Sequence, residues 1–168
     1  LAITYFISYV TRNSYSVVIA EMVQQTRLTQ SELSLAVTGS LVTYGAGQII
    51  SGYFGDRFQP KSLVFWGLVI TSLMNLAIPL CQMPLQMLSV WCINGLAQAF
   101  LWPPIVRLMA HLFCEETYQR ATVAVTWGGS FGNIMLYLIS PALISLWGWR
   151  SVFWISAVCG MGMAVIWR

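Results

Sequence analysis

The chain has 168 residues, of which 58% are hydrophobic and 8% are charged, and its formal net charge is +3. A soluble domain carries roughly 25% charged residues, so these side chains cannot cover a globule in water. No Lys/Arg stripe alternates with aromatic residues, which argues against a nucleic-acid surface and against DNA or RNA as a partner. The four cysteines lack metal-ligand spacing, and no nucleophile–base pair is present. We therefore predict neither an enzyme nor a bound metal or cofactor.

Six apolar segments are long enough to cross a bilayer, which takes about 20 residues of helix. We predict an all-α membrane protein built as one six-helix bundle over residues 1–168. Its helices are expected at 1–24, 32–54, 62–82, 84–113, 119–146 and 149–168. The chain begins and ends inside apolar runs, so we expect it to be a piece of a longer protein.

Most of the cations are predicted to lie at one end of the bundle. The helix order places Arg57, Lys61, Arg107, Arg120 and Arg168 at that end, and Arg27 and Arg150 at the other. Because loops rich in Lys and Arg stay in the cytoplasm, the first end is predicted to be cytoplasmic. We expect a multi-pass protein of the plasma (inner) membrane, surrounded by the lipid bilayer.

The six helices divide into two groups of three. Each group is expected to open with an interrupted helix, since the first carries Arg12 and the fourth carries Trp102-Pro103-Pro104. Polar or irregular elements at matching positions of two repeats indicate a transport site near the bilayer midplane. We therefore predict a 3+3 bundle with a binding site between the groups.

Arg12 is the most informative residue, because it lies near the middle of its predicted helix. An arginine there costs about 2.5–3.5 kcal/mol on insertion scales. One interpretation is an ion pair inside the bundle, but no acidic residue is expected at the same depth. The partner is then an anionic ligand, backbone carbonyls or a group outside this chain. Guanidinium binds phosphate and carboxylate in a bidentate manner.

Several polar residues are candidates to line the same cavity. Tyr5 and Tyr9 share a helical face with Arg12, and Tyr44 and Gln48 form an i, i+4 pair in the second helix. Such side chains could orient a polar substrate, although tyrosines also serve as packing residues. Ser130 is a further candidate, while the neighbouring glycines are expected in close helix packing. No helix holds a mid-depth carboxylate, which argues against a proton carrier in this chain.

The segment from Gly52 to Lys61 ends the second helix and enters a charged loop. We expect Gly52 and Gly55 to permit close helix contact. Asp56 is expected to accept hydrogen bonds at the helix end or to pair with Arg107. These residues, together with Arg57 and Lys61, are interpreted as a gate.

This segment resembles the signature loop between helices 2 and 3 of the major facilitator superfamily. The pattern G-x-x-x-D-R/K-x-G-R-R/K is matched at Gly52, Asp56, Arg57 and Lys61, while Gln59-Pro60 replaces the usual Gly-Arg. The resemblance implies that the chain is the amino-terminal half of a twelve-helix fold. Its partner would be a C-terminal six-helix half, absent here.

Within the superfamily, the chain is similar to the organophosphate:phosphate antiporters, which include glycerol-3-phosphate and hexose-phosphate transporters. The likeness rests on the helix 1 pattern of Tyr5, Tyr9 and Arg12, on Tyr44-Gly45, and on Trp102-Pro103-Pro104 followed by Arg107 and His111. It implies secondary active transport by alternating access, with Arg12 and a second arginine in the other half facing a substrate phosphate. Trp102 is included among the substrate-binding candidates.

Two departures make the predicted pocket less positive. Gln48 stands where glycerol-3-phosphate transporters have a lysine, and Ser130 stands where they have a histidine. A singly charged organic anion then becomes a plausible cargo beside an organophosphate. Two other functions stay open: a transporter-like membrane sensor of a sugar phosphate, and a proton- or cation-coupled symporter that would need a carboxylate in the other half.

Overall fold

The computed structural model describes residues 1–168 except for the side chain of Asp56. Its described residues form an all-α bundle, as predicted from the apolar segments. A short 3-10 turn, Ile78–Leu80, follows the third helix. The helices are α1 Ala2–Gln25, α2 Gln30–Arg57, α3 Pro60–Ala77, α4 Pro84–Ala99, α5 Trp102–Leu112, α6 Glu115–Trp147 and α7 Arg150–Trp167.

The predicted fourth span is two helices, α4 and α5, separated at Phe100-Leu101. Pro103 and Pro104 lie in the first turn of α5, where a missing N–H removes no helical hydrogen bond. Continuing α4 through them would remove such bonds, so the chain restarts its helix. In contrast, α1 runs without a break through Arg12. The expected interruption of the first helix is therefore wrong, because an inward-facing arginine costs no backbone hydrogen bond.

Four segments are long and apolar enough to cross a membrane by themselves: Gln30–Gly55, Pro60–Leu80, Glu115–Trp147 and Arg150–Trp167. The first and the fourth predicted spans do not meet this requirement of length and hydropathy, and the reasons differ. The side chains of α1 include buried Thr4, Ser8, Thr11 and Ser14, which lower its hydropathy. The helices α4 and α5 have 16 and 11 residues, so each is too short alone.

The loop between α2 and α3 is shorter than predicted. Residues 56–62 were expected to form a charged loop, yet only Phe58 and Gln59 lie between the two helices. Gln59 is extended, as a residue before proline prefers, and Pro60 opens α3 at a position suited to its fixed φ. The charged residues of this segment are thereby carried largely on helix ends.

The helices of the two groups pair crosswise. The helix α1 packs along α6, α2 packs along α4, and α3 packs on α7. Glycines permit the closest approaches: a Cβ on Gly128 would lie 2.5 Å from the Ala2 carbonyl oxygen, and one on Gly132 would clash with the Phe6 carbonyl. Small residues at helix crossings are typical of membrane bundles. Each group of three thus supplies the packing partners of the other.

A layer of buried polar side chains separates two apolar clusters. One cluster contains Tyr15, Trp91 and Phe153, and the other contains Leu68 and Leu101. The polar layer falls between them along α1, α3 and α4, and comprises Thr11, Ser14, Thr71, Asn75, Asn94 and Gln98.

Candidate functional site

The Arg12 guanidinium lies on aromatic rings. Its Cζ is 3.9 Å from the ring centroid of Tyr44 on α2 and 5.9 Å from that of Tyr9 on its own helix. No carboxylate of the described residues lies within ion-pair distance of it. A cation–π contact contributes from about 0.5 kcal/mol at exposed sites to about 2 kcal/mol when desolvated, which offsets part of the insertion cost of the half-buried arginine. The N–H edges of the guanidinium are not used by face stacking, so they can still bind an anion.

Tyr5, Tyr9 and Trp102 form an aromatic wall next to Arg12. The rings of Tyr5 and Tyr9 meet edge to face with centroids 5.1 Å apart, and Tyr5 lies 4.9 Å from Trp102. Trp102 is the first residue of α5, so the break after α4 delivers it to this position. Gly129 makes room on α6, because a Cβ there would lie 2.9 Å from the Tyr9 ring.

Gln48 lies one helical turn beyond Tyr44 on α2. Its side-chain amide nitrogen is buried and has no hydrogen-bond partner among the described residues. An unsatisfied buried donor is costly, typically about 1–3 kcal/mol. The amide is therefore available to a ligand that reaches this depth.

Ser130 is not brought into contact with the Arg12 cluster. The residue is exposed, and its hydroxyl donates to the Thr126 carbonyl of its own helix at 3.4 Å. Instead, the preceding Gly129 faces the tyrosines. The structure thus brings together five of the candidate residues, and Ser130 is not among them. The five are Arg12, Tyr44, Tyr9, Tyr5 and Trp102.

The predicted gate is described in part. The Asp56 side chain, and with it the expected pair with Arg107, lies outside the described residues. Arg57 stacks on Tyr53, with its Cζ 4.3 Å from the ring centroid. Lys61 accepts a hydrogen bond on its backbone carbonyl from Trp167. Arg107 is half-buried on α5.

The expected close helix contact at the gate glycines is not seen. A Cβ at Gly52 or Gly55 would meet no described atom within 4 Å, since no described helix crosses α2 closely at those positions. The close crossings occur at Gly95, Gly128, Gly132 and Gly160 instead.

The neutral polar layer was not singled out from the sequence. The Gln98 amide donates to the hydroxyls of Thr11 and Thr71 at 3.1 and 2.9 Å. The Asn75 amide donates to the carbonyl of Thr11 at 2.9 Å, and accepts from Ser14 at 2.6 Å. Thr71 also donates to Asn94. These bonds join α1, α3 and α4 directly behind Arg12. Amide side chains inside two apolar segments, the third and the fourth, were the available signal.

A second polar contact joins α1 to α6; the sequence indicates Asn133 as a polar contact residue but not its partner. The amide of Asn13 donates to the side-chain oxygen of Asn133 at 3.0 Å. Asn13 directly follows Arg12, so this bond fixes the rotation of α1 against α6 next to the candidate site.

Fold and site together define the class of protein. Two groups of three apolar helices pair crosswise around a mid-helix arginine, with aromatic and amide side chains beside it. This is a polytopic helical bundle built from two three-helix groups. No group of three or more potential metal ligands occurs among the described residues.

The chain belongs to the Major Facilitator Superfamily, whose family model matches residues 1–168. It is 24% identical over 166 residues to a probable hexose phosphate transport protein of Chlamydia pneumoniae, covering 98% of this chain and 36% of that protein. It is 25% identical over 168 residues to the membrane sensor protein UhpC of Salmonella typhimurium, covering 98% of this chain and 38% of the sensor. The chain thus spans little more than a third of the length of these relatives.

The fold is also that of a solved transporter. A bacterial homologue of the human lysosomal transporter Spinster, crystallised in an inward-facing and occupied conformation, superposes with a TM-score of 0.87 at 19% identity. The match covers 99% of this chain and 42% of that protein. This likeness shows the fold, and with the family match it confirms the predicted half of a twelve-helix major facilitator fold.

Proposed function

We propose that this bundle, with a C-terminal six-helix half, transports a small organic anion by alternating access. The observation that carries the proposal is Arg12, held near mid-span on Tyr44 and Tyr9 with no described carboxylate at ion-pair distance. A charged side chain at the middle of an apolar bundle helix marks a substrate or ion pathway in membrane proteins. An anion meeting the N–H edges of Arg12 would supply the missing countercharge.

Organophosphate exchanged for phosphate is the favoured cargo chemistry. One similar protein is named a probable hexose phosphate transport protein, and guanidinium matches phosphate geometry. Arg12 is the one cation of the described cluster, and Gln48 adds a neutral donor. Binding a doubly charged phosphate would then require a second cation from the other half, whereas a singly charged anion would not.

The mechanism follows from the position of the site. Arg12, Tyr44 and Trp102 come from α1, α2 and α5, so one ligand touches helices of both groups. Rocking of this bundle against the other half would expose that ligand to alternate sides. The residues interpreted as a gate, Asp56, Arg57, Lys61 and Arg107, would stabilise one of the two states at the predicted cytoplasmic end.

The variant Arg12→Lys in the full-length protein tests the proposal. Lysine keeps the charge but loses the bidentate fork, so we expect phosphate affinity to fall about 10- to 100-fold, since a charged hydrogen bond contributes about 1.5–3 kcal/mol. Phosphate exchange in proteoliposomes and phosphate-dependent thermal shifts measure the effect. Arg120→Lys is the matched control, because Arg120 is an exposed partner of Glu116 far from the cluster. Exchange by Arg12→Lys at the wild-type rate and affinity would refute the assignment.

A membrane sensor is the second candidate function, favoured by the similarity to the membrane sensor protein UhpC. The same Arg12 site would bind the anion, and the signal would pass to a partner instead of releasing cargo. Proteoliposomes separate the two functions. Phosphate-ester binding that depends on Arg12, without uptake or exchange, would favour the sensor.

A further inference from the structure

We propose that a cavity between α3 and α7, at the end of the bundle richest in cations, binds the headgroup of an anionic phospholipid. This α3–α7 cavity has a volume of about 580 Å³. Its lining includes Gln59, Lys61, Ser62, Trp66, Trp167 and Arg168. It is separate from the Arg12 cluster, whose residues come from α1, α2 and α5.

The charge of the cavity fits an anion. Lys61 and Arg168 are both exposed, and no acidic side chain lines the cavity among the residues whose side chains the structure describes. The exposed side chains of Gln59 and Ser62 add neutral hydrogen-bond donors. A phosphodiester group offers the matching acceptors, and basic pockets between helices at the cytoplasmic side bind such headgroups.

Two tryptophans, Trp66 and Trp167, line the cavity. The Trp167 indole N–H donates to the Lys61 carbonyl at 3.0 Å, so Trp167 of α7 is tied to the start of α3. Trp66 is 57% exposed. Amphipathic indoles concentrate at membrane–water interfaces, where the ring meets lipid and the N–H meets polar groups.

An apolar strip continues from the cavity along α3. Leu73 and Leu76 follow Trp66 at spacings of seven and ten residues, which is one helical face, and both are exposed. A headgroup in the α3–α7 cavity would leave its acyl chains lying on this strip. Free phosphate would use the cations but not the strip, which favours the lipid as occupant.

Lipid titration of the purified full-length protein, followed by native mass spectrometry, tests the proposal. We expect phosphatidylglycerol to bind more tightly than phosphatidylcholine. The double change Lys61→Gln with Arg168→Gln should weaken phosphatidylglycerol binding about thirtyfold, and each single change about fivefold, given the known attraction per juxtamembrane cation. Arg120→Gln is the matched control, because it removes one exposed cation from the same end of the bundle.

Three results would overturn the proposal. The first is equal affinity for the two lipids in the wild type. The second is a loss in Arg120→Gln as large as in Lys61→Gln, which would indicate general surface charge. The third is displacement of phosphatidylglycerol by millimolar inorganic phosphate, which would assign the cavity to the free anion. Melting temperatures in phosphatidylcholine show whether each variant is folded, and Trp66→Leu offers a second variant that keeps both cations.

Discussion

Arg12 contacts the ring faces of Tyr44 and Tyr9 instead of a carboxylate, and this difference bears on the proposed binding of an anion. A carboxylate at mid-depth would neutralise the arginine and compete directly with an incoming anion. The rings of Tyr44 and Tyr9 contact the guanidinium without taking up its donors. The site therefore keeps a positive charge that is positioned in advance, which lowers the ordering cost of binding.

Tyr44 should be needed for its ring and not for its hydroxyl. We expect Tyr44→Phe to bind phosphate within about twofold of the wild type, because the ring face is kept. Tyr44→Leu should weaken binding by up to about thirtyfold, the equivalent of a desolvated cation–π contact. Thermal-shift titration of the full-length protein with phosphate measures both variants. Tighter binding by Tyr44→Leu would show that the ring competes with the anion.

At the residue scale, spacing predicted neighbours on one helix better than contacts between helices. Tyr9 and Arg12 are one turn apart, so their proximity follows from helical geometry. The stacking of Tyr44 on Arg12 depends on how α1 crosses α2, which no local pattern encodes. Ser130 was singled out by analogy to a histidine position, whereas the side of α6 that faces the tyrosines is Gly129. The amides of Asn75, Asn94 and Gln98 were not singled out, although they lie inside apolar segments.

The contact between α1 and α6 depends on glycines that admit the backbone of α1. Gly132 has no room for a side chain against the Phe6 carbonyl. Overpacking of this kind costs about 1–3 kcal/mol. The close approach also brings Asn13 within hydrogen-bonding distance of Asn133, so the packing and the candidate site are coupled.

Gly132→Val should lower the melting temperature of the full-length protein by several degrees, because the added branches force α1 away from α6. Gly162→Val is the matched control, since a Cβ at Gly162 meets nothing within 4 Å. Both changes put a β-branched residue into a helix, so their difference reports the helix contact. Equal melting temperatures for the two variants would contradict the close packing.

Because Gln98 on α4 and Thr71 on α3 share a hydrogen bond in the polar layer, we expect their contributions to the unfolding free energy to be coupled. We expect Gln98→Met and Thr71→Val each to destabilise the protein, and the double variant to lose less than their sum. The expected coupling is about 0.6 kcal/mol and at most about 1.7 kcal/mol, as measured for hydrogen bonds between membrane helices. A double-mutant cycle on unfolding free energies provides the value. Strict additivity would show that the 2.9 Å bond contributes nothing.

At the element scale, the paired prolines gave a reliable signal and charges gave a misleading one. The break between α4 and α5 follows from Pro103 and Pro104, two consecutive residues without a backbone N–H, whereas the single Pro141 lies inside α6. The charged segment after Gly55 was expected to be a loop, yet α2 extends to Arg57. Charged residues form helix well, and the true stop is the extended conformation that Pro60 imposes on Gln59.

The distribution of cations predicts the orientation of the whole molecule in the membrane, and labelling can test this prediction. Cys114 is exposed at the start of α6, and Gln82 is exposed between α3 and α4. In full-length protein free of other cysteines, a membrane-impermeant maleimide should label Gln82→Cys on intact cells. It should label Cys114 only after permeabilisation, because the positive-inside rule places that end in the cytoplasm. The reverse pattern would invert the topology.

The rate at which the Cys114 thiol reacts at neutral pH gives an internal control. Hydrogen bonding with Thr117, from its hydroxyl and then its backbone amide, lowers the pKa of the Cys114 thiol below its ordinary value. A lowered pKa enlarges the thiolate fraction at neutral pH, so Cys114 should react faster than Gln82→Cys after permeabilisation. Thr117→Val should remove part of this advantage, which identifies the labelled thiol.

At the scale of the whole molecule, hydropathy predicted the bundle and the three-helix grouping, but not the pairing. Span length and polarity are local properties, and they are sufficient to divide the chain into helices. Which helix packs on which is decided by sites such as Gly128 and Gly132, where the backbone of another helix approaches. The sequence indicates that those glycines are packing residues, but it does not indicate that the helix packed against them is α1.

The crosswise pairing also sets an order of assembly during synthesis. The helix α1 ends at Gln25, while its main packing partner α6 begins at Glu115. At a synthesis rate of about 5–20 residues per second, α1 is in the bilayer for on the order of ten seconds before α6 is synthesised. Tyr44 belongs to the next helix and arrives much sooner, so the aromatic ring can shelter Arg12 during the interval. The residue pair proposed to receive cargo would then also protect the nascent protein while its first helix is still unpaired.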